Sequence, residues 1–517
     1  RTSAAVLRAH TAKVFLGGEI ASLSIPWGNA KGDHDLGGYH LVWTRDLVES
    51  ISGLMATGAG ADAVEALNFL HVTQEVDGHW TQNMWLDGTP YWTGVQMDEV
   101  GFPILLIGIA LREGYLSEQE ALKYRGMIRR AVSYLVQNGP VTQQDRWEED
   151  AGYSPFTLAV EIAALLVAAD LVEAMGDNDE ATYLREVADI WNASIERWTY
   201  VTGTHMAQQA GADGYYVRIA PPAAGSSEPL AADKLVLKNR PAGVAEVIAS
   251  DVVSCDALAL VRFGLRAPDD PHIVNTVKVI DRYLKVETPY GPTWHRYNGD
   301  GYGEHADGAP FDGTGIGRTW PLLVGERAHY ELAADHPEEA ERLRHAMEAF
   351  ANEGGMIPEQ TWDAHDIPSH ELFFGRPSGS AMPLVWAHAE YVKLCRSLRQ
   401  GQIFDMLPQP SQRYLIEKHG SNISSWRFNN KSHNMPVGNI LRIEVLAPAT
   451  IHWSTDEWKT VHDTATTATN LGVHYADIPT RDITEGHRVL FTFYWSQADR
   501  WEGKDFWVCI IAAADYW

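Results

Sequence analysis

Through the first four hundred positions apolar residues recur at helical spacing. The window 155–175 is the clearest: Leu158, Ile162, Leu165, Ala169 and Val172 fall on one helical repeat, and Gly176 supplies a stop. Similar patterns predict helices over 3–14, 45–58, 61–74, 98–113, 117–137, 179–198, 250–265, 271–284, 316–334, 337–353 and 380–399. Periodicity alone says all-α. Twelve helices joined by short and long connections in turn suggest six hairpins, and closing these into a ring gives an (α/α)6 barrel with a funnel at one end. Between the helices run long loops, 15–44, 75–97, 138–154, 285–315 and 354–379, rich in Gly, Trp, Asp and Glu. Loops of that length in a compact domain usually carry function.

After residue 403 the pattern changes. Pro408 and Pro410 punctuate a linker, and short alternating runs follow at Ile440–Leu446, Thr450–Trp453, Val489–Trp495 and Phe506–Ile511. The expected organisation is a barrel domain over 1–403 and a small all-β sandwich over 404–517, in keeping with a chain of 517 residues that exceeds one hydrophobic core. Trp453, Trp458, Trp495 and Trp501 in the second part are read either as a sugar-binding platform or as packing against the barrel, and packing is the preferred reading.

Composition narrows the function. A formal net charge of -27 excludes a nucleic-acid partner, because phosphate binding needs a basic surface. No apolar run reaches the ~20 residues that a membrane helix needs. Cys255, Cys395 and Cys509 are too scattered for a disulfide framework and read as free thiols. The 19 Trp and 20 Tyr matter more, with Trp147 and Trp362 beside acids and Trp92 and Trp320 in loops. Aromatic faces stack on sugar rings while carboxylates take the hydroxyls. The chain opens inside a helical pattern without an initiator Met or signal peptide, so an upstream segment is expected to have been removed.

Several catalytic signatures are missing: HExxH, the P-loop, the GxSxG elbow and zinc-spaced His and Cys. Gly313-Thr-Gly-Ile-Gly317 lacks the spacing of a dinucleotide loop. Loop carboxylates remain. Trp147-Glu148-Glu149-Asp150 sets three acids beside an apolar ring just before a helix, and both features raise a carboxyl pKa towards what a general acid needs. A charged first helical turn explains the same residues equally well. Glu359, behind Pro358 in a loop, is the second candidate, against the plain reading of a solvated loop acid. Glycoside hydrolysis needs one protonated and one ionised carboxyl, about 6.5–9.5 Å apart for inversion and about 5–5.5 Å for retention.

Seven motifs in order then carry a resemblance over residues 1 to about 400: Glu19-Ile-Ala-Ser-Leu-Ser-Ile-Pro-Trp27, His40-Leu-Val-Trp-Thr-Arg-Asp46, Tyr91-Trp-Thr-Gly-Val-Gln-Met-Asp98, Asp145-Arg-Trp-Glu-Glu149, Arg296-Tyr-Asn-Gly-Asp-Gly-Tyr302, Gly317-Arg-Thr-Trp320 and Ile357-Pro-Glu-Gln360. Together they resemble glycoside hydrolase family 15, the glucoamylases, and most closely its bacterial glucodextranase-like branch. The resemblance implies an inverting, exo-acting α-glucoside hydrolase that releases β-D-glucose. It gives Glu148 as general acid, Glu149 as a substrate-binding neighbour that tunes it, and Glu359 as general base. Arg45 and Asp46 would clamp the non-reducing glucose, since adjacent residues seldom pair well with each other. Tyr39, Trp43, Trp92, Gln96, Asp98, Trp147, Arg296, Tyr297 and Trp320 would line the innermost subsites.

The expected partner is an α-glucan, dextran and isomaltooligosaccharides ahead of starch, with trehalose as the alternative. No nucleic acid or membrane is expected. Relatives of this type carry an upstream β-sandwich, expected here on a separate or cleaved polypeptide. Ser250–Leu260 departs most from the family. A phosphorylase would need a cationic phosphate pocket in place of a base, and a non-catalytic glycan-binding protein would not need both acids. No cofactor is required for acid–base chemistry on an acetal; the acidic loops leave room for calcium without ligand spacing that marks a site. Secretion or a periplasmic location is expected for an enzyme of polymeric glucans.

Overall fold

A computed structural model of the chain describes residues 1–27, 38–221 and 233–516. Part of the expected 15–44 loop, residues 28–37, lies outside the described residues, as does Trp517 of the expected C-terminal domain.

Of the fifteen α-helices before residue 401 among the described residues, three are short turns at Glu118–Ala121, Ile195–Thr199 and His205–Ala210, and the other twelve are α1 (Thr2–His10), α2 (Thr44–Ala56), α3 (Gly60–Thr73), α4 (Met97–Arg112), α5 (Arg125–Asn138), α6 (Pro155–Ala174), α7 (Asn178–Asn192), α8 (Ala259–Arg262), α9 (Pro271–Tyr283), α10 (Pro321–Ala333), α11 (Pro337–Phe350) and α12 (Val385–Gln400). The even-numbered helices pack in succession, α2 on α4, α4 on α6, α6 on α8, α8 on α10 and α10 on α12, and α12 returns to α2. Odd-numbered helices lie against this ring: α1 on α12 and α2, α3 on α2 and α4, α7 on α6, and α11 on α10 and α12. Close approach is allowed by missing side chains. A Cβ on Gly53 of α2 would sit 3.0 Å from Ala389 Cα of α12, and one on Gly101 of α4 would sit 2.9 Å from Val160 of α6.

Most departures from the periodicity have local causes. The helix expected from 316 begins at Pro321, and the one expected from 380 begins at Val385, just after Pro383; proline sits readily in a first helical turn but not within a helix. The helix expected over 250–265 is reduced to 3-10 turns at Ala249–Asp251 and Cys255–Leu258 and the single turn of α8. Val252 is extended, the amide of Val253 donates to Asn298 Oδ1 at 2.8 Å, and Gly264 at φ +77° ends the helix. Conversely, α6 reaches membrane-span length and a mean hydropathy of 1.9, which the sequence reading did not anticipate. It carries Glu161, and 89% of the window is buried among its neighbours, so it is the core helix of the ring.

Ten strands follow the helices: β1 (Ile423–Arg427), β2 (Asn434–Pro436), β3 (Ile440–Val445), β4 (Ala449–Ser454), β5 (His462–Ala465), β6 (Thr467–Ala468), β7 (His474–Ile478), β8 (Arg488–Trp495), β9 (Arg500–Trp501) and β10 (Phe506–Ile511). They form a sheet in the order β6–β7–β3–β1 and a second in the order β2–β10–β8–β4–β5, with β9 paired to β8. Trp426, Leu441, Ile443 and Ile478 from the first share one core with Ile451, Phe491, Phe493 and Val508 from the second. Polar and stacked contacts join the four-stranded sheet to α5 and α7. Tyr183 donates to Glu444 at 2.7 Å, Arg442 pairs with Glu186 at 2.7 Å, and Tyr183 stacks on Tyr475. Of the four tryptophans, Trp458 stacks on His452 of its own sheet. Trp453 and Trp495 lie against their own sheet, and Trp501 is 53% exposed beside His452 and Tyr494.

Candidate active site

The ring places one kind of helix end around one space. Trp43 caps the N-terminus of α2, with Arg45 and Asp46 in its first turn; Gln96 caps α4, Trp320 caps α10, and Leu384 caps α12 ahead of Trp386. A cavity of about 490 Å³ opens there, lined by Tyr39, Trp43, Arg45, Asp46, Trp92, Trp147, Glu148, Glu149, Arg296, Trp320 and Glu359 among others. Helix N-termini favour negative charge, which partly offsets the cost of holding four carboxyls in one buried space.

Glu148 ends a turn in which its amide donates to the Asp145 carbonyl at 2.8 Å, and its own φ is +66°. That conformation costs a non-glycine residue of order 1 kcal/mol and persists only where the surroundings enforce it. Its carboxylate accepts from Trp43 Nε1 at 2.5 Å and from Gln82 Nε2 at 2.7 Å, and its carbonyl accepts from Lys238 Nζ at 2.6 Å. Glu359 Oε1 accepts from the Tyr39 hydroxyl at 2.5 Å, which in turn lies 2.6 Å from the Tyr302 hydroxyl. Each acid is therefore held by a different ring, and the Tyr39 and Trp43 centroids are 5.9 Å apart. Among the described residues Glu359 Oε2 is buried without a hydrogen-bond partner.

Burial raises all four carboxyls. Glu359 is pushed up to about 8 against the opposing pull of the Tyr39 hydroxyl and Arg296. Asp46 is pushed up to about 7 despite Arg45. Glu148 is raised by burial, opposed by Arg45 and by its Gln82 and Trp43 donors. Glu149 is raised by burial against Arg296 and Arg218. Among the described residues the Glu148 carboxylate has two donors and that of Glu359 one, so hydrogen bonding favours the ionised form more at Glu148 than at Glu359.

With this geometry in view, the comparisons with known proteins are specific. Residues 75–396 match Glycosyl hydrolases family 15. The chain belongs to that family. A glucoamylase of Clostridium sp. (strain G0005) is 41% identical over 412 residues, 80% of this chain and 54% of that protein. The crystal structure of a bacterial glucoamylase complexed with acarbose matches with 40% identity and a TM-score of 0.72, over 80% of this chain and 57% of that one. The chain thus spans about half the length of these relatives. A glucoamylase from Saccharomycopsis fibuligera, 15% identical, shares the fold at a TM-score of 0.56, over 77% of this chain and 94% of that one.

Within this family 15 chain, three residues expected at the cavity wall stand behind it. Gln96 Oε1 and Asp98 Oδ2 accept from Arg45 Nη1 at 2.6 and 3.1 Å, and Asp98 is completely buried. Tyr297 donates to Glu149 Oε2 at 2.5 Å and is 1% exposed. Their long polar side chains reach the guanidinium and carboxylate from the far side, so they orient the wall without forming it. Arg45 and Asp46, although adjacent, do approach each other, with Nε 3.6 Å from Oδ2. That spacing is an ion pair without a hydrogen bond, and both side chains still face the cavity.

Other wall residues had not been singled out. Trp27 and Tyr302 end two of the quoted motifs and Arg146 lies within a third, while Gln82 and Trp386 lie outside all of them. Lys238 and Asn239 follow Lys234–Val236 of a hairpin with Glu246–Ile248, in a segment without helical periodicity that had been assigned no element. Among the described residues no group of three or more His, Cys, Asp or Glu is arranged to hold a metal ion, and the three cysteines are free.

Proposed function

We propose that this protein is an inverting, exo-acting α-glucoside hydrolase that releases β-D-glucose from the non-reducing ends of α-glucans. The observation that carries the reading is the pair Glu148 and Glu359, each fixed by an aromatic donor in one cavity with Arg45 and Asp46. The helical ring is read as an (α/α)6 barrel over 1–403, and the two sheets as a separate β-sandwich domain over 404–517.

In this mechanism the terminal glucose is gripped by Arg45, which Gln96 and Asp98 hold in place, and by Asp46. Glu148 donates its proton to the glycosidic oxygen as the C1–O bond breaks. Tyr39 occupies Glu359 Oε1, which leaves Oε2 to take a proton from the water that attacks C1 on the opposite face. The Tyr39 hydroxyl, donating to the carboxylate, favours the ionised form that a base requires.

One observation favours a second reading, with the roles of the two acids exchanged: burial pushes Glu359 up to about 8, and Glu148 has the greater number of donors. The order of motifs, Trp147-Glu148 and Ile357-Pro-Glu359, favours the first. α-D-Glucosyl fluoride separates them, because fluoride leaves without a proton donor. Glu148→Gln should keep most fluoride hydrolysis and lose glycoside hydrolysis, while Glu359→Gln should lose both; the reverse pattern would establish the exchange.

As for linkage, the resemblance to glucodextranases favours α-1,6 bonds, while the relatives at about 40% identity bear the name glucoamylase. Time-resolved proton NMR with isomaltotriose and maltotriose side by side tests linkage and stereochemistry together. Early β-glucose supports inversion, and the faster substrate gives the linkage. Early α-glucose would rule out inversion and the base role of Glu359.

A further inference from the structure

Four acids crowd the six residues from Asp145 to Asp150, yet only Glu148 and Glu149 reach the cavity. The turn is drawn together by its backbone: the Asp145 amide donates to the Asp150 carbonyl at 2.9 Å and the Glu148 amide to the Asp145 carbonyl at 2.8 Å. The Glu149 amide donates to Asp145 Oδ1 at 3.0 Å. Closing such a turn brings Asp145, Glu149 and Asp150 towards one point, where three negative charges out of water repel strongly.

Arg218 sits at that point. It is completely buried and is absent from the cavity wall. Its Nη1 donates to Asp145 Oδ2 at 2.7 Å and to Glu149 Oε2 at 3.2 Å, and its Nη2 donates to Asp150. The guanidinium lies 4.3 Å from the centroid of Tyr297, whose hydroxyl donates to the same Glu149 oxygen. Its backbone is fixed as well. The Arg218 amide donates to the Val252 carbonyl at 2.8 Å, and two residues on Ala220 exchanges hydrogen bonds with Tyr153 at 2.8 and 2.9 Å, just beyond the turn.

We propose that Arg218 is the positioning residue of the catalytic turn, holding Asp145, Glu149 and Asp150 so that Glu148 is presented to the glycosidic oxygen. Arg218 touches no substrate; it acts through the geometry it imposes on Glu148, whose φ of +66° is the conformation an unrestrained glutamate leaves most readily. The inference rests on the reading of Glu148 as general acid. A planar, forked guanidinium fixes the directions from which the three carboxylates approach; a lysine in the same place is a point charge on a flexible stem and fixes them less.

The test compares full-length Arg218→Gln, Arg218→Lys and Glu148→Gln with the parent on two substrates: α-D-glucosyl fluoride and the better of maltotriose and isomaltotriose. Proton transfer to the leaving oxygen is needed for the trisaccharide alone. Arg218→Gln should lower trisaccharide kcat/KM by about 10–100-fold while fluoride hydrolysis stays within about threefold, with Arg218→Lys between it and the parent. A parallel fall on both substrates, or no fall on either, overturns the proposal, because a merely structural role does not distinguish leaving groups. Glu148→Gln is the ruler. If it shows the split and Arg218→Gln does not, the positioning role alone fails; if it shows no split, the acid reading fails and takes this inference with it. Should Arg218→Gln not fold, Asp150→Asn, which removes one of the three partners at a partly exposed site, should show a smaller split of roughly threefold to tenfold in the same direction; its absence overturns the proposal.

Discussion

The ring of inner helices holds two buried clusters of charge, and they are built on opposite principles. Asp46 in the first turn of α2 faces the cavity, while Glu49, one turn further on, faces the interior. On α12, Trp386 lines the cavity and Glu390 and Lys393 turn inward. The inner cluster is closely matched. Arg262 grips Glu390 through two bonds of 2.6 and 2.8 Å and Asp405 through two of 3.1 and 2.7 Å. Lys393 donates to Glu49 and to Asp405, and His329 meets Glu390 at 2.8 Å. Arg262 and Lys393 hold Asp405 well below the usual carboxylate range and Glu390 below it too; only Glu49, served by Lys393 alone among its hydrogen-bond donors, is pushed up by burial. In the cavity every carboxyl is pushed up instead. Where cations touch the carboxylates, as at Glu390 and Asp405, the fold is held; at Glu148 and Glu359, which have no cation within ion-pair distance among the described residues, protons can move.

That contrast can be broken from either side. The largest effect should come from Glu148→Gln and Glu359→Gln, each lowering glycoside turnover by about 10³–10⁴-fold with little loss of thermal stability. In the inner cluster Arg262→Met should do the opposite. It leaves two buried carboxylates short of a partner and should cost about 3–5 kcal/mol in denaturant unfolding, while kcat of the remaining folded enzyme stays near the parent's. Next, Asp46→Asn should reduce kcat/KM by about 10–100-fold, the loss of one charged hydrogen bond to a sugar hydroxyl. A smaller effect sharpens the comparison through pH. Because the folded protein raises Glu359 to about 8, the stability this group contributes is complete below its unfolded value near 4.5 and is lost as pH rises to 8. Glu359→Gln should therefore melt close to the parent at pH 4 and several degrees above it at pH 8, and equal melting at both would show the carboxyl to be unshifted. Least of all, Trp501→Ala, on the exposed side of the second sheet, should change stability by under about 0.5 kcal/mol and trisaccharide turnover not at all.

Helices were legible in this sequence because burying one face imposes a period, and α11 shows it: Ala340, Leu343, Met347 and Phe350 are buried while its other side faces outward. Where tertiary contacts or prolines set the limits, as at α8 and α10, periodicity overran. Short strands such as Thr467–Ala468, both exposed, leave no alternation to read. At the site, local sequence picked out Glu148 through its Trp and acid neighbours. It could not separate residues that form the wall from residues that brace it. Gln96, Asp98 and Tyr297 stand in the same motifs as the wall residues Trp92 and Arg296, and which of them brace Arg45 or Glu149 from behind is decided by helices far away in sequence. Arg218 was invisible for the same reason: its three partners lie some seventy residues upstream.

The closure of the ring also has a consequence for how the chain comes into being. Trp43, Arg45 and Asp46 are made early, but Leu384 and Trp386, which complete the same wall, come more than three hundred residues later. A nascent chain that has passed Glu359 but not yet α12 carries both acids yet has no enclosed pocket, and the apolar sides of α2 and α10 that α12 will cover are still open to water. Synthesis thus passes through a long interval of exposed, adhesive surface that ends only with the last helix. A ribosome-stalling series should find protection of α2 from protease appearing abruptly once α12 has cleared the exit tunnel.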